Sequence, residues 1–392
     1  MSVSHRTDVA VVGLGAMGAA VLCQLAMRGV DVVGVDQYAP PHDRGSSHGE
    51  TRITRCAVGE GEAYVPLALA SHRILRDLEN QTGERLLTTS GCLIMGSTVN
   101  SVHHGKTDFL RRSVESAKAF DIPHEIMNGE DVMRRFPQIQ GSEGAQAYFE
   151  PGGGFVYPER CIAVQLGVAR QNGATILQAP VTEISQGAGI VHIHAGGQII
   201  EASRAVVAAG AWTGRLMGEP FSRLLTVNRQ VLHWFPVDDQ MYSPDRFPTI
   251  IWMHGDTADA YFYGFPSVPG TGLLKAATEQ YQVATAPDSV DRTVFPTEAD
   301  AFYRNHFAGR LRDVGAHAVR SAVCLYTVTP DSGFIIDHHP GMERVTVISA
   351  CSGHGFKHSA GIGEAVARGL TESDGDATLV PFSLGRFDGA LT

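Results

Sequence analysis

The residues near the N-terminus with the clearest chemical meaning are three glycines at fixed spacing. Gly13, Gly15 and Gly18 form a GxGxxG motif directly after an apolar run that ends at Val12. The first glycine allows a tight turn, the second lets a pyrophosphate approach the backbone, and the third lets helix and strand pack closely. A second apolar run ends at Asp36, where a carboxylate can accept hydrogen bonds from ribose hydroxyls. The pattern predicts a dinucleotide site and does not by itself distinguish NAD from FAD.

A thiol close to the C-terminus is the second candidate. Cys324 lies in "AVCLYTVTPDSGFIID", and a lone cysteine in an apolar run is most often a small buried hydrophobe. The chain has six cysteines without CxxC or paired spacing, so neither a metal site nor a disulfide framework is indicated. A reducing cytoplasm is therefore the expected location.

Four cations stand in segments that could face a ligand. Arg52 and Arg55 lie in "ETRITR", Lys275 in "GTGLLKAATE" and Lys357 in "SGHGFKHS". A guanidinium can bind a carboxylate through two parallel hydrogen bonds, and Lys357 stands at the start of a predicted helix whose dipole favours an anion. For any one of these cations taken singly, a solvated surface role is the default, because surface charge is common.

The elements that must position these residues alternate in type along the chain. The predicted elements are a helix ending at Arg28, helices at 62–79 and 160–173, a strand at 174–179 and a hairpin at 190–202. A buried strand and glycine turn then return near 205–212, which predicts that the nucleotide domain is discontinuous.

The following segment differs in pattern. The runs "RQVLHWFPV", "PTIIWMHG" and "AYFYGFPS" within 216–320 favour an antiparallel sheet, with a helix N-capped by Thr297. Near the C-terminus, 345–370 reads as strand, glycine turn and helix, which would place a second helix N-terminus beside an electron-rich group.

Composition limits the partners. The net charge is −10 with 43% hydrophobic residues, which disfavours nucleic acid and anionic membranes, since both attract basic surfaces. The apolar run 9–27 lacks the basic region and cleavage site of a signal peptide. Small molecules are the expected partners.

Several separated motifs together resemble the monomeric sarcosine oxidase family, which includes N-methyltryptophan oxidase and pipecolate oxidase. The matching segments are "GLGAMG", "PPHDRGSSHGETRITRCAVGEGEAYVPLAL", "FEPGGGFVYPERC", "YGFPS", "CLYTVTPDSGFIIDHHP" and "SGHGFKHSAGIGE". The resemblance implies an α/β fold with a glutathione-reductase-like FAD-binding Rossmann domain and a smaller substrate domain built on an antiparallel sheet. It also implies FAD as cofactor, oxidation of a secondary amine on an amino acid, reduction of O₂ to H₂O₂, and a monomer.

The domain boundaries expected from this likeness divide the chain several times. The FAD-binding domain would comprise 1–82, 148–215 and 322–392, and the substrate domain 83–147 and 216–321.

The resemblance also implies roles for individual residues. Cys324 would form a thioether to the 8α-methyl of FAD. Arg52 would lie beside the flavin and Lys275 would promote the reaction with O₂, while Arg55 and Lys357 would bind the substrate carboxylate and Tyr263 and Tyr326 would line the pocket. The expected cofactor-binding residues are Gly13, Gly15, Met17, Gly18, Asp36, Gln37, Ser46, His48, Thr51, Arg52, Cys324, Gly353, Gly355, Phe356 and Lys357.

The chain departs from the family pattern near the substrate. The spacing from "YGFPS" to Lys275 is one residue longer than expected, which turns a strand residue to the other face unless a bulge absorbs it. Thr278 and Glu279 stand where a histidine is expected, and His358 where an aromatic residue is expected. The particular substrate therefore stays open.

Three alternatives remain at this level. They are a flavin dehydrogenase that uses an acceptor other than O₂, a flavin-binding protein with a regulatory or structural role, and an NAD-dependent dehydrogenase supported by the glycine motif alone.

Overall fold

A computed structural model describes residues 3–96, 103–104, 106–255, 257, 259–372 and 376–391. The strands are β1 (Val3–Val12), β2 (Val32–Asp36), β3 (Arg52–Thr54), β4 (Leu87–Thr88), β5 (Cys92–Gly96), β6 (Glu125–Asn128), β7 (Gln146–Glu150), β8 (Gly154–Val156), β9 (Thr175–Gln178), β10 (Val181–Gly187), β11 (Ile190–Ala195), β12 (Gln198–Val207), β13 (Thr226–Pro236), β14 (Thr249–Met253), β15 (Tyr261–Phe265), β16 (Leu273–Ala277), β17 (Arg320–Val328), β18 (Ile335–His339) and β19 (Met342–Ser349). The α-helices are α1 (Ala16–Met27), α2 (Val65–Thr82), α3 (Phe109–Ala119), α4 (Gly129–Arg135), α5 (Pro158–Gln171), α6 (Thr213–Met217), α7 (Phe221–Leu224), α8 (Pro296–Phe302), α9 (Ser359–Thr371) and α10 (Asp388–Leu391).

The first sheet has the order β10-β11-β12-β1-β2-β9, and β19 pairs with the C-terminal part of β12 and with β18. The pairs of β1 with β2 and β12, of β2 with β9 and of β12 with β19 are parallel. Helix α1 contacts both α5 and α9 against this sheet. This is the predicted Rossmann arrangement, in which the glycine motif lies at the carboxyl end of β1.

The second sheet has the order β17-β13-β16-β15-β14-β5-β7-β6. Its pairs are antiparallel, as predicted for this part of the chain, except that β14 lies parallel to β5. The expected domain boundaries at 148 and 322 fall inside β7 and β17, two strands of this sheet. Cys324 on β17 therefore approaches the cofactor side from the second sheet.

A three-stranded sheet with the order β3-β8-β4 places the two-arginine segment. Arg52 begins β3 and lies opposite Val156 of β8. Because Arg55 directly follows β3, one short strand fixes the positions of both guanidiniums.

The other local predictions have mixed outcomes. The hairpin is confirmed, with its turn at 196–197, and the long helix near 62–79 starts as a 3₁₀ turn at Glu62–Tyr64 before α2. The N-cap prediction at Thr297 is wrong, because the cap of α8 is Phe295. The Glu298 side chain accepts a hydrogen bond from the Phe295 N–H at 3.1 Å, so a side chain in the first turn satisfies the cap residue, whereas a threonine cap would have accepted from an N–H of the first turn.

Among the helices formed by the described residues, none has the length and apolar composition needed to cross a membrane.

The closest packing of α1 on the sheet depends on Gly18. A Cβ atom at this position would lie 1.7 Å from the carbonyl oxygen of Gly13. We expect Gly18→Ala to force α1 away from the glycine turn and to lower the free energy of unfolding by about 1–3 kcal/mol. Thermal unfolding followed by circular dichroism would measure the change.

The matched control is Gly167→Ala in the middle of α5, where an added Cβ meets nothing within 4 Å. We expect this variant to be slightly more stable than the parent, by up to about 1 kcal/mol, since alanine is the better helix former. Equal stability of both variants would contradict the packing argument.

Candidate active site

A cavity of about 500 Å³ extends from the glycine turn after β1 into the region between the two sheets. Five predicted residues line its first part, namely Gly13, Gly15, Met17, Asp36 and Gln37. Gly18 is not among the lining residues of the described chain, because it packs helix α1 against Gly13 instead.

Backbone geometry in this part suits a pyrophosphate. The Asp36 carboxylate accepts a hydrogen bond from the Leu14 N–H at 2.7 Å and so fixes the turn. A Cβ at Gly13 would lie 2.5 Å from the carbonyl oxygen of Ala208, so only glycine fits. Ser47, which sequence reasoning missed, accepts a hydrogen bond from the Ala16 N–H at 3.2 Å. The available sequence signal was its place in the polar segment "HDRGSSHGE", directly after Ser46.

The other part of the cavity is lined by Ser46, Arg52, Gly353, Gly355 and Phe356, all predicted to bind the cofactor. A Cβ at Gly355 would lie 1.6 Å from the carbonyl oxygen of Ala350, so this turn exposes bare backbone to the cavity. The lining also includes the stretch 208–212 after β12, which the sequence marked only as a glycine turn.

The cavity, its glycine turns and the acid at the end of β2 fit FAD. Thr327, which lines the cavity, has a buried hydroxyl without a hydrogen-bond partner among the described residues. Such an unpaired group is expected where a polar ligand supplies the partner.

Cys324 is fully buried, and its sulfur lies 3.4 Å from Nη2 of Arg52. Burial alone raises the pKa of this thiol, but Arg52, followed by His48, outweighs burial and lowers the pKa to about 7. By contrast, burial raises the pKa of the Cys23 thiol to about 12. With a pKa of about 7, the Cys324 thiol can ionise at neutral pH, and the thiolate is the nucleophilic form.

A second cysteine, Cys351, lines the cavity directly. Burial raises the pKa of the Cys351 thiol, so it lacks the activation that Arg52 gives to Cys324. Sequence reasoning assigned no role to this residue.

Lys275 is buried on the inner side of β16, so the alternative of an exposed strand lysine is wrong. Its ammonium donates hydrogen bonds to the carbonyl oxygens of Gly49 and Thr51 at 2.7 and 2.6 Å. The additional residue before it lies in the turn 266–272, and Lys275 pairs with Phe265 in β15. Burial, followed by the charge of Arg52, lowers the pKa of Lys275 well below its ordinary value.

Several predicted residues lie behind the cavity wall. Besides Gly18, five residues predicted to bind the cofactor or act in catalysis do not line the cavity in the described part of the chain. They are His48, Thr51, Lys275, Cys324 and Lys357.

The two cations predicted to bind a carboxylate meet at one carboxylate of the chain itself. Glu60 accepts a hydrogen bond from Arg55 Nη2 on one oxygen and from Lys357 Nζ on the other, both at 3.1 Å. Burial opposes ionisation of Glu60, but Lys357 and Arg55 hold its pKa well below the ordinary value. Burial also lowers the pKa of Lys357 to about 8, although Glu60 counteracts it.

Glu60 was not predicted. The available signal was an acid in the glycine-rich turn "VGEGE", five positions after Arg55. A buried acid so close in sequence to a buried arginine is expected to pair with it.

Two tyrosines predicted to form the pocket wall also lie together. The hydroxyl oxygens of Tyr263 and Tyr326 are 3.4 Å apart, and Tyr326 lines the cavity. The Tyr326 hydroxyl donates a hydrogen bond to Glu279 at 3.3 Å, which connects the cavity to a buried acidic group.

Comparison with known proteins defines the class of this fold and site. The model of the FAD dependent oxidoreductase family matches residues 8–368. The chain therefore belongs to the FAD dependent oxidoreductases.

Two characterised relatives narrow the family. Monomeric sarcosine oxidase of Streptomyces avermitilis is 36% identical over 372 residues, which cover 93% of each chain. N-methyl-L-tryptophan oxidase of Yersinia pestis is 32% identical over 97% of this chain and 99% of that protein. The chain is a member of the monomeric sarcosine oxidase and N-methyltryptophan oxidase family, as its motifs predicted, and is thus a flavoprotein amine oxidase.

Solved structures show the same fold at lower identity. NikD, an amino acid oxidase essential for nikkomycin biosynthesis, superimposes with a TM-score of 0.80 at 22% identity and covers 95% of this chain and 96% of its own. L-proline dehydrogenase from P. horikoshii gives a TM-score of 0.81 at 18% identity, covering 99% of both chains. These likenesses confirm the predicted fold class.

Removing the carboxylate shared by the two buried cations should be costly. We expect Glu60→Ala to lower the free energy of unfolding by about 3–5 kcal/mol, because Arg55 and Lys357 would remain buried and unpaired. Urea unfolding monitored by tryptophan fluorescence would measure the loss.

The control is Glu364→Ala, which removes a carboxylate 2.7 Å from the half-exposed Arg73. An exposed ion pair contributes only about 0–1 kcal/mol, so this variant should remain close to the parent. A Glu60→Ala variant that is no less stable than Glu364→Ala would show that the buried pairs do not hold the site together.

Proposed function

We propose that the protein oxidises a secondary amine on an amino acid, either N-methylated or cyclic, and that O₂ is reduced to H₂O₂. FAD, when bound, would supply the acceptor for a hydride from the carbon next to the nitrogen and the route of the two electrons to O₂. The resulting imine is then hydrolysed. The observation that carries the proposal is the pair Arg55 and Lys357 gathered around one carboxylate beside the dinucleotide cavity.

The chain has residues that could bind each part of FAD. The glycine turn at 13–18 and the N-terminus of α1 would hold the pyrophosphate, and Asp36 the ribose. The turn 353–356 and Arg52 would border the flavin ring. A thioether from Cys324 is favoured by its lowered pKa and by the neighbouring guanidinium.

Carboxylate anchoring would orient the substrate. Glu60 demonstrates that the site stabilises a carboxylate, and Arg55 still has a buried Nε without a partner among the described residues. Fixing the carboxylate would hold the amine and its adjacent carbon in one place. Such orientation lowers the barrier without requiring a dedicated general base.

Arg52, which lines the cavity, and a protonated Lys275 behind the cavity wall would supply positive charge near the flavin. Lys275 would stabilise negative charge that develops on O₂. The similarity to monomeric sarcosine oxidase supports both the use of O₂ and a single-chain enzyme. We also propose a cytoplasmic location, because the six cysteines are all free.

An alternative is a flavin-dependent amino acid dehydrogenase that uses another electron acceptor. It is favoured by the hydrogen bonds of Lys275, which tie its ammonium to two backbone carbonyls behind the cavity wall. Comparing the rates of flavin reoxidation by O₂ and by an artificial acceptor distinguishes the two: much faster reoxidation by the artificial acceptor would support the dehydrogenase.

The amine oxidation is tested by supplying N-methyl amino acids, L-proline and L-pipecolate to the purified protein. We expect at least one to bleach the flavin anaerobically and to yield H₂O₂ in air. Lys357→Met should raise KM for that substrate about tenfold or more, since a charged hydrogen bond to the carboxylate is lost.

Lys118→Met is the matched control, because Lys118 is an exposed lysine on α3. Its KM should equal that of the parent. Absence of bleaching with every secondary amino acid would overturn the proposed activity.

Covalent attachment is tested by denaturing the protein in acid and asking whether the yellow colour stays with the polypeptide. We expect retention in the parent and in Cys351→Ala, and loss in Cys324→Ala, because only Cys324 has an activated thiol. Retention in Cys324→Ala would show that another residue carries the flavin.

A further inference from the structure

Glu279 is a buried carboxylate at the edge of the cofactor cavity, and the proposed function gives it no role. One oxygen accepts a hydrogen bond from the Tyr326 hydroxyl, and the other accepts one from the Tyr281 hydroxyl at 2.6 Å. A Cβ at Gly353, which lines the cavity, would lie 3.1 Å from Glu279 Oε1. The carboxylate therefore lies directly behind the glycine turn that borders the cavity.

An imidazole joins Glu279 to the carboxylate-binding cluster. His104 Nε2 lies 3.1 Å from Glu279 Oε1, and His104 Nδ1 lies 3.3 Å from Glu60 Oε1. Burial disfavours the charged ring, but Glu279 and then Glu60 together outweigh burial and raise the pKa of His104. Burial also opposes ionisation of Glu279, whereas His104 holds its pKa below the ordinary value. The two carboxylates thus form a site that favours a cation.

The same cluster brings both signs of charge within a few ångströms. Glu60 Oε1 lies 3.1 Å from Lys357 Nζ and 3.3 Å from His104 Nδ1, while the opposite ring nitrogen, Nε2, faces Glu279. The imidazole therefore lies between two carboxylates, and one of these carboxylates also pairs with the cations predicted to bind a substrate carboxylate.

The charges around this position are balanced for a zwitterion. Arg55 and Lys357 attract a carboxylate, whereas Glu60 and Glu279 attract a cation. Two carboxylates without a cation between them would repel each other in a buried site. Because His104 fills this place in the structure, a substrate that displaces it must bring positive charge of its own.

We propose that Glu279 binds the α-ammonium group of the amino acid substrate, at the place that the His104 imidazole takes in this structure. The inference rests on the proposed function and adds that the substrate is recognised as a zwitterion. Glu279 is then a positioning residue, which sets the nitrogen relative to the cavity while Arg55 and Lys357 hold the carboxylate. The bound ammonium must give up one proton, to the Glu279 carboxylate or to water, before the hydride leaves, because the C=N bond forms from the nitrogen lone pair.

The test uses two ligands of nearly equal shape that differ in charge. 2-Aminoisobutyrate and pivalate share a carboxylate on a carbon without hydrogen, and the ammonium of the first replaces a methyl group of the second. Neither can be oxidised at that carbon, so binding is measured without turnover. Titration of the holoenzyme, followed by the change in flavin absorption or by calorimetry, gives both dissociation constants.

We expect the parent to bind 2-aminoisobutyrate at least tenfold more tightly than pivalate. In Glu279→Gln this preference should fall to about twofold or less, while the affinity for pivalate is kept or improved. Glu279→Asp, which keeps the charge, should retain part of the preference.

Glu298→Gln is the matched control. Glu298 lies on α8, outside the site, with its carboxylate 3.0 Å from Arg229 of β13, and its loss should leave the preference unchanged. Equal binding of the two ligands by the parent overturns the proposal, even if Glu279→Gln does not fold. The proposal is also overturned if Glu279→Gln keeps the full preference for 2-aminoisobutyrate.

These outcomes are separate from those of the proposed activity. A protein that discriminates between the two ligands but bleaches with no secondary amine would keep the zwitterion site and lose the oxidase proposal. A protein that oxidises secondary amines but does not discriminate would keep the oxidase and lose the role of Glu279.

Discussion

The candidate site depends on the two ion pairs that the Glu60 carboxylate makes. This carboxylate joins Arg55, which follows β3 near the N-terminus, to Lys357, which precedes α9 near the C-terminus. A buried cation without an anion is strongly destabilising, so neither residue could occupy this place without a carboxylate. The pairing therefore closes the chain around the site and keeps both cations inside.

A second link joins the sheets through Arg52 and Cys324. Arg52 begins β3 of the three-stranded sheet, beside the cofactor cavity, whereas Cys324 lies on β17 of the second sheet. The guanidinium holds the thiol and favours its ionised form, which would otherwise be costly in a buried place. One arginine thus serves both the contact between sheets and the reactivity of the proposed anchor. Lys275 reaches the same loop through the carbonyls of Gly49 and Thr51, so three separate segments meet there.

The sequence predicted the fold where local rules are strict. GxGxxG between two apolar runs requires a strand, a turn and a helix, and β1, α1 and β2 follow that order. The hairpin at 190–202 was equally predictable from its alternation and its glycine pair. The cap of α8 was not, because the helix begins two residues earlier than Thr297 requires, with Phe295 as the cap and its N–H bonded to Glu298. Choices between neighbouring polar residues depend on tertiary surroundings that periodicity does not contain.

What the sequence alone determined is the dinucleotide-binding start of the fold, through glycines at a fixed spacing, and the family, through several separated motifs. The family in turn gave FAD as the cofactor and the prediction that Arg55 and Lys357 bind a carboxylate. Only the tertiary structure decided that Lys275 is buried in spite of its longer turn, and that Glu60, His104 and Glu279 meet near the cavity. These three acids and bases lie far apart along the chain, and their charges acquire meaning only when burial removes water from between them. Sequence spacing cannot supply that distance, because the three residues lie in separate segments outside the strands and meet only when the chain is folded.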